Sequence, residues 1–250
     1  MDTKKLLIDL HIEADRQGPG SHQATEKAID FAIADRTIPL EIVDIGCGTG
    51  ASTILLAQLL NANITAVDFL PQFLDVLRTK AGQLGVSDRI TTLACSMQSL
   101  PFADEQFDVI WSEGAIYNMG FENGIQQWQR LLKAGGVLVV SEITWITAHR
   151  PAEIQAYWDK HYPEIGTASS KMKLLEDHGY TPLAYFALGD ECWLENYYQP
   201  LQGRFQQFLA RHHHSNDAFN LVAAEEQEIS LFQKYRQYFS YGVYIARKKS

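Results

Sequence analysis

Only three cysteines, Cys47, Cys95 and Cys192, occur in the 250 residues. None belongs to a Cys-x-x-Cys pair, so no thiolate zinc or redox motif is written into the chain. That usage points to a reducing compartment, and the expected location is the cytoplasm. Long apolar runs are missing as well: no window approaches the roughly 20 residues of a membrane span. Met1 to Leu10 lacks the uninterrupted apolar stretch and small-residue cleavage site of a signal peptide. Basic residues are in deficit, 21 Lys and Arg against 30 Asp and Glu, for a formal charge of −9. Such a chain repels polyphosphate backbones and anionic headgroups unless a local basic stripe compensates. The densest basic run, Arg247-Lys248-Lys249, reads as a solvated tail. Neither nucleic acid nor membrane is therefore expected as a partner, and monomer and homodimer are both open. What is present is a globular composition, 46% hydrophobic and 11% aromatic, which excludes disorder, collagen repeats and rods as the main state.

Apolar positions at helical spacing run through residues 4–16 and 22–36, separated by Gly18-Pro19-Gly20, with Ser21 a suitable N-cap. The period then changes. Glu41 to Ile45 is a short β-branched run that ends in Gly46-Cys47-Gly48-Thr49-Gly50 and is followed by a helical Ala51 to Asn61. Further strands are expected over Ile64–Asp68, Ile90–Ala94, Phe107–Trp111, Gly136–Glu142, Leu183–Leu188 and Tyr241–Arg247. Helices are expected over 72–84 behind Pro71, over 122–133, after Pro151 and up to Gly179, with a turn cluster at Gly166–Ser170. Alternating β and α predicts a doubly wound, mostly parallel sheet between helical layers. One domain over 1–250 is expected, with an N-terminal helical cap at 1–36, a core at 40–145, and an aromatic, glutamine-rich helical insertion at 192–238 forming a lid.

In open α/β sheets ligands settle outside the carboxyl ends of the strands, where the glycine loop lies. Glycines let a ligand approach main-chain N–H groups directly. An acidic residue ending the second strand, about 20 residues beyond the loop, is placed to accept hydrogen bonds from ribose hydroxyls, and Asp68 occupies that position. The pattern therefore points to a ribose-containing cofactor.

Four stretches in order carry a family resemblance. Val43-Asp44-Ile45-Gly46-Cys47-Gly48-Thr49-Gly50 resembles the first motif of class I S-adenosylmethionine-dependent methyltransferases, and Asp68 matches the acidic residue of the next. Leu100-Pro101-Phe102 with Phe107-Asp108-Val109-Ile110 resembles the entry to the fourth strand. Leu131-Leu132-Lys133-Ala134-Gly135-Gly136 resembles the turn before the fifth, where many members carry proline at the position of Ala134. The closing Tyr241 to Arg247 is similar to the family's last, antiparallel strand, so the resemblance implies a Rossmann-like sheet of seven strands. Within the family the chain is most similar to the ubiquinone and menaquinone biosynthesis methyltransferases.

The resemblance implies S-adenosyl-L-methionine as cofactor and S-adenosyl-L-homocysteine as product. The backbone of Gly46, Cys47, Gly48 and Gly50 would lie against methionine and ribose, and Asp44 would sit near the ligand's amino group or merely stabilise the glycine turn. Asp68 would hold the ribose, Phe69 and Leu70 would line the adenine, and Ser96 stands where members commonly place an adenine-binding Asp. An uncharged hydroxyl there leaves more of the recognition to Met97 and its backbone. No metal is called for. With a core of this kind, the net negative charge favours a small-molecule acceptor.

Methyl transfer from a sulfonium is an in-line displacement, so alignment can supply much of the acceleration. An anionic acceptor needs no base, whereas a neutral hydroxyl or an amine does. Candidate catalytic residues are Glu113, Tyr117 and Glu142, at or just after the fourth and fifth strands, with His149 and His161 behind them. Glu113 could instead cap a turn, and Glu142 could be structural. Trp145, Tyr157, Trp158, Trp193, Tyr197 and Tyr198 would form an aromatic cover over the acceptor, or simply pack helices. His212-His213-His214 reads as a solvated face, since adjacent helical positions chelate poorly. Two other readings are a cofactor-binding protein without transfer activity and a nicotinamide-dependent oxidoreductase. The acceptor and the atom methylated are not legible.

Overall fold

The computed structural model describes residues 3–249; Met1, Asp2 and Ser250, which the expected cap and domain included, lie outside the described residues. Two helices, α1 (Thr3–His11) and α2 (His22–Ala32), precede the sheet. Ser21 caps α2, its hydroxyl accepting from the Ala24 N–H, which satisfies one of the otherwise orphaned N-terminal donors. There follow β1 (Leu40–Ile45), α3 (Ala51–Leu59), β2 (Ala62–Asp68), α4 (Pro71–Gln83), β3 (Ile90–Ala94), β4 (Phe107–Ser112), α5 (Phe121–Trp128) and β5 (Leu132–Trp145). The sheet runs β3-β2-β1-β4-β5 in parallel. The chain winds outward from β1 to β3 and returns to β4, so the switch point lies between β1 and β4, where a crevice opens.

Beyond β5 come α6 (Ala152–His161), a two-residue strand β6 (Gly166–Thr167) on β5, α7 (Ala168–Asp177) and β7 (Tyr180–Ala187). The expected turn at Gly166–Ser170 is thus a strand that runs straight into a helix, whose N-cap hydroxyl is that of Thr167. The segment after β7 folds as α8 (Asp190–Trp193), a π-helical turn (Leu194–Tyr198), α9 (Gln199–Arg211) and α10 (Asn216–Tyr235). The closing β8 (Phe239–Lys248) runs antiparallel between β5 and β7. It absorbs the basic run expected to be a tail: Arg247 pairs with Val137, and the Lys248 ammonium donates to the Leu132 carbonyl.

The central strands are apolar on both faces because both are covered. Ile42, Val109 and Val139 belong to the core shared with α2, α9 and α10, whereas Val43, Ile110 and Leu138 belong to the core under α5 and α7. The triple-histidine run is not one solvated face. α9 ends before it, His213 and His214 adopt left-handed backbone, and His212 packs on Phe208 and bonds to the Asp9 carboxylate.

Candidate active site

The glycine loop leaves β1 under β2. Its N–H groups are not offered to a ligand, contrary to expectation. Those of Gly46 and Cys47 donate to the Val67 carbonyl, that of Gly50 to Cys47, that of Gly48 to Asp68 Oδ2 at 2.9 Å, and that of Thr49 to Gln17 Oε1 at 2.9 Å. The glycines are needed because protein atoms pack against their Cα atoms. A Cβ on Gly46 would lie 2.3 Å from Ala115 Cβ, and one on Gly48 would lie 2.3 Å from Gln17 Oε1, both at positive φ, so any side chain would displace what packs there.

Asp44 lies beneath the loop and does not line the cleft. Its Oδ2 accepts from the hydroxyls of Ser52 and Thr53 at 2.8 and 2.6 Å, anchoring the first turn of α3, while buried Oδ1 has no partner. Burial, reinforced by the nearby Glu113 and Asp68 carboxylates and opposed by the two hydroxyls, raises its pKa to about 7. Cys47 is buried behind the loop, and Gly50 packs on Leu77 at the head of α3; neither lines the cleft. Because a carboxyl with a raised native pKa binds its proton more tightly in the folded state, its contribution to stability is present below the ordinary value of 3.8 and is lost as pH rises through about 7. Asp44→Asn is therefore expected to flatten the fall in melting temperature across that window, as followed by calorimetry. An unchanged slope would place the titration elsewhere.

The cleft of about 630 Å³ is lined by Gly46, Gly48, Asp68, Phe69, Ser96 and Met97, among others. Asp68 Oδ1 accepts the Leu70 N–H at 2.8 Å and the Phe69 N–H also bonds to the carboxylate; with two oxygens and about four lone-pair sites, acceptor capacity remains toward the cleft. Burial pushes its pKa up against these bonds. The Ser96 hydroxyl accepts the Gln98 N–H, the Met97 carbonyl accepts the Trp128 indole, and the exposed Phe69 ring lies 4.2 Å beneath the Lys4 ammonium.

A second cavity of about 230 Å³ adjoins it, walled by Trp158, Tyr162, Trp193, Tyr197, Tyr198 and Tyr241. Of the six expected aromatics, four reach it. Trp145 instead packs on Phe239 with Arg150 over its face, and Tyr157 stacks on His161. The π-helical turn inserts an extra residue per turn, a distortion found often at functional sites, and here the consecutive Tyr197 and Tyr198 both line the cavity. Gln17, Gly114, Tyr117, Tyr197 and Glu228 line both cavities and so mark their junction. Burial raises the pKa of Tyr117.

The two other catalytic candidates stand off both cavities. Glu113 accepts from Arg16 Nη1 at 2.7 Å, Thr25 Oγ1 at 2.7 Å and Trp111 Nε1 at 2.9 Å, which ties the segment between α1 and α2 to the end of β4. Glu142 is buried 3.6 Å from the Lys171 ammonium. Burial raises its pKa to about 7 although Lys171 and the Tyr162 hydroxyl pull it down. His149 is exposed, and His161 lines the aromatic cavity. The residues missed from sequence are Gln17, His11, Glu225 and Glu228. Gln17 clasps the loop through Thr49, His11 Nε2 stands 3.5 Å from Glu225 Oε1, and Glu228 Oε1 accepts from the Tyr198 hydroxyl at 3.0 Å.

Residues 42–136 match a family model described as a methyltransferase domain. The core of the chain, from β1 to the start of β5, is thus similar to methyltransferase domains. Among curated relatives, the sterol 4-C-methyltransferase strm-1 of Caenorhabditis elegans is 32% identical over 105 residues, covering 40% of this chain and 30% of that protein. A demethylmenaquinone methyltransferase of Bacteroides fragilis is 33% identical over 108 residues, 42% of this chain and 44% of that one. The chain thus matches less than half the length of either relative. An S-adenosylmethionine-dependent methyltransferase from Geobacter sulfurreducens, solved with S-adenosyl-L-homocysteine, superposes with a TM-score of 0.84 at 18% identity, covering 98% of each chain. The likeness of fold therefore extends over α1, α2 and the helices after β7, well beyond the matched domain.

Proposed function

We propose that the chain binds S-adenosylmethionine in the larger cleft and transfers a methyl group to a small organic acceptor held in the aromatic cavity, with residues 192–238 as its lid. The observation that carries this reading is the junction: a cleft bounded by a glycine loop and a strand-end carboxylate opens onto an aromatic cavity through five shared residues. The residues present fit the cofactor. The Asp68 oxygens face the cleft where two ribose hydroxyls would lie, Gly46 and Gly48 border the same cleft, and Phe69, Ser96 and Met97 bound the place for an adenine. When bound, the sulfonium supplies an electrophilic methyl carbon. Tyr117 and Gln17 stand at the junction and align what meets there, which is where much of the acceleration of an in-line displacement arises. Glu113 and Glu142 act as positioning residues, the first by fixing the segment that carries Gln17.

Incubation with methyl-labelled S-adenosylmethionine and a metabolite extract is the test. Label is expected in a low-mass product with the native protein. Binding of the cofactor without any labelled product would support a binding protein instead, and fluorescence of bound NADH would support the oxidoreductase.

A further inference from the structure

Resting on that reading, we infer that the acceptor is a cation, an aliphatic amine whose ammonium form sits in the aromatic cavity with Glu228 as its counter-charge and proton acceptor. The wall of this cavity is built largely from aromatic rings: Trp158, Trp193, Tyr197, Tyr198 and Tyr241 all border it. Desolvated aromatic faces attract ammonium groups through the ring quadrupole. Among the described residues that line it, none is lysine or arginine, and Glu228 is the one carboxylate. An acceptor bearing a carboxylate or phosphate would find no lysine or arginine there, only the His161 ring stacked on Tyr157. Glu228 lies on α10 at the junction of the two cavities. The second carboxylate on the cofactor side, Glu225, stands three residues earlier on the same helix. Glu225 borders only the larger cleft, where His11 stands 3.5 Å from it, so Glu228 is the carboxylate at the junction itself, and burial together with Glu225 raises its pKa, which strengthens it as a proton acceptor.

The step balances. The ammonium nitrogen gives one proton to the Glu228 carboxylate, and the freed lone pair forms the nitrogen–carbon bond to the methyl group. The carbon–sulfur bond breaks as this happens, and sulfur keeps the electron pair as a neutral thioether. The product is a methylated ammonium, still cationic, and Glu228 returns its proton to solvent.

The probes are choline and its neutral isostere 3,3-dimethylbutan-1-ol, titrated into full-length protein saturated with S-adenosyl-L-homocysteine and followed by quenching of tryptophan fluorescence. Choline is expected to bind at least about tenfold more tightly than the alcohol. Glu228→Gln is expected to reduce that preference severalfold, leaving the part that the aromatic rings supply. Equal affinity, preference for the alcohol or no saturable binding of choline in the native protein would overturn the inference. So would a preference undiminished by Glu228→Gln. Saturation by S-adenosyl-L-homocysteine, measured first, separates failure of this inference from failure of the cofactor reading.

Discussion

Asp68→Ala is expected to weaken S-adenosylmethionine roughly ten- to a hundredfold, because hydrogen bonds to a charged group contribute about 1.5–3 kcal/mol. The carboxylate has two tasks. Its oxygens fix the N–H groups of Gly48 and Leu70, and they keep lone pairs toward the cleft for the ribose. Alanine removes both, so the loop loses its anchor as well as the ligand its acceptor. Asp68→Asn keeps one of the two backbone bonds, since its carbonyl oxygen can still accept from Gly48 while its NH2 group meets the Leu70 N–H donor to donor and no charge faces the ribose. It is expected to lower the melting temperature less than alanine does and to bind more weakly than the native protein by about tenfold. Native affinity in both variants, measured by calorimetry, would mean that the ribose is held elsewhere.

Arg16→Ala is expected to lower stability by about 3 kcal/mol, the lower end for breaking a buried ion pair. In a chain of this size that amounts to roughly 6–12 °C in melting temperature. The Arg16 and Glu113 side chains are 10% and 17% exposed, and the guanidinium reaches Glu113 with Nη1 and Thr25 with Nη2. Lysine offers no such fork, so Arg16→Lys is expected to recover little of the loss. Adding Glu113→Gln to Arg16→Ala is expected to recover part of it, because a neutral amide left beside Thr25 and Trp111 costs less than an unpaired charge. The same loss would free Gln17, one residue on, from its clasp on the glycine loop, so weaker cofactor binding should accompany the lower melting temperature. Native stability in Arg16→Ala would show that the strap is not held by this pair.

What was legible in the sequence was local. β1, the glycine loop, α3 and Asp68 lie within one stretch whose period and spacing are dictated by backbone geometry, and the alternation to β5 follows from the same rule. What escaped depends on residues brought together from far along the chain. Glu113 reads as a free loop carboxylate until Arg16, 97 positions away, is seen against it. Glu142 was expected to end the fifth strand, but β5 runs on to Trp145 and the Glu142 side chain is buried against Lys171 of α7. The loop N–H groups were expected to face a ligand because glycine permits it, but Val67, Asp68 and Gln17 had already claimed them. Glu225 and Glu228 carry no motif. Only the packing of α10 against α1 and the π-helical turn brings them to the opening.

The most direct test of the account is a calorimetric titration of the native protein with S-adenosylmethionine and S-adenosyl-L-homocysteine. Both are expected to bind at a single site with dissociation constants well below about 1 mM, and Asp68→Ala is expected to weaken both. Absence of binding by either ligand up to about that concentration would contradict the account, because no other step of the proposed chemistry can proceed without an occupied cleft.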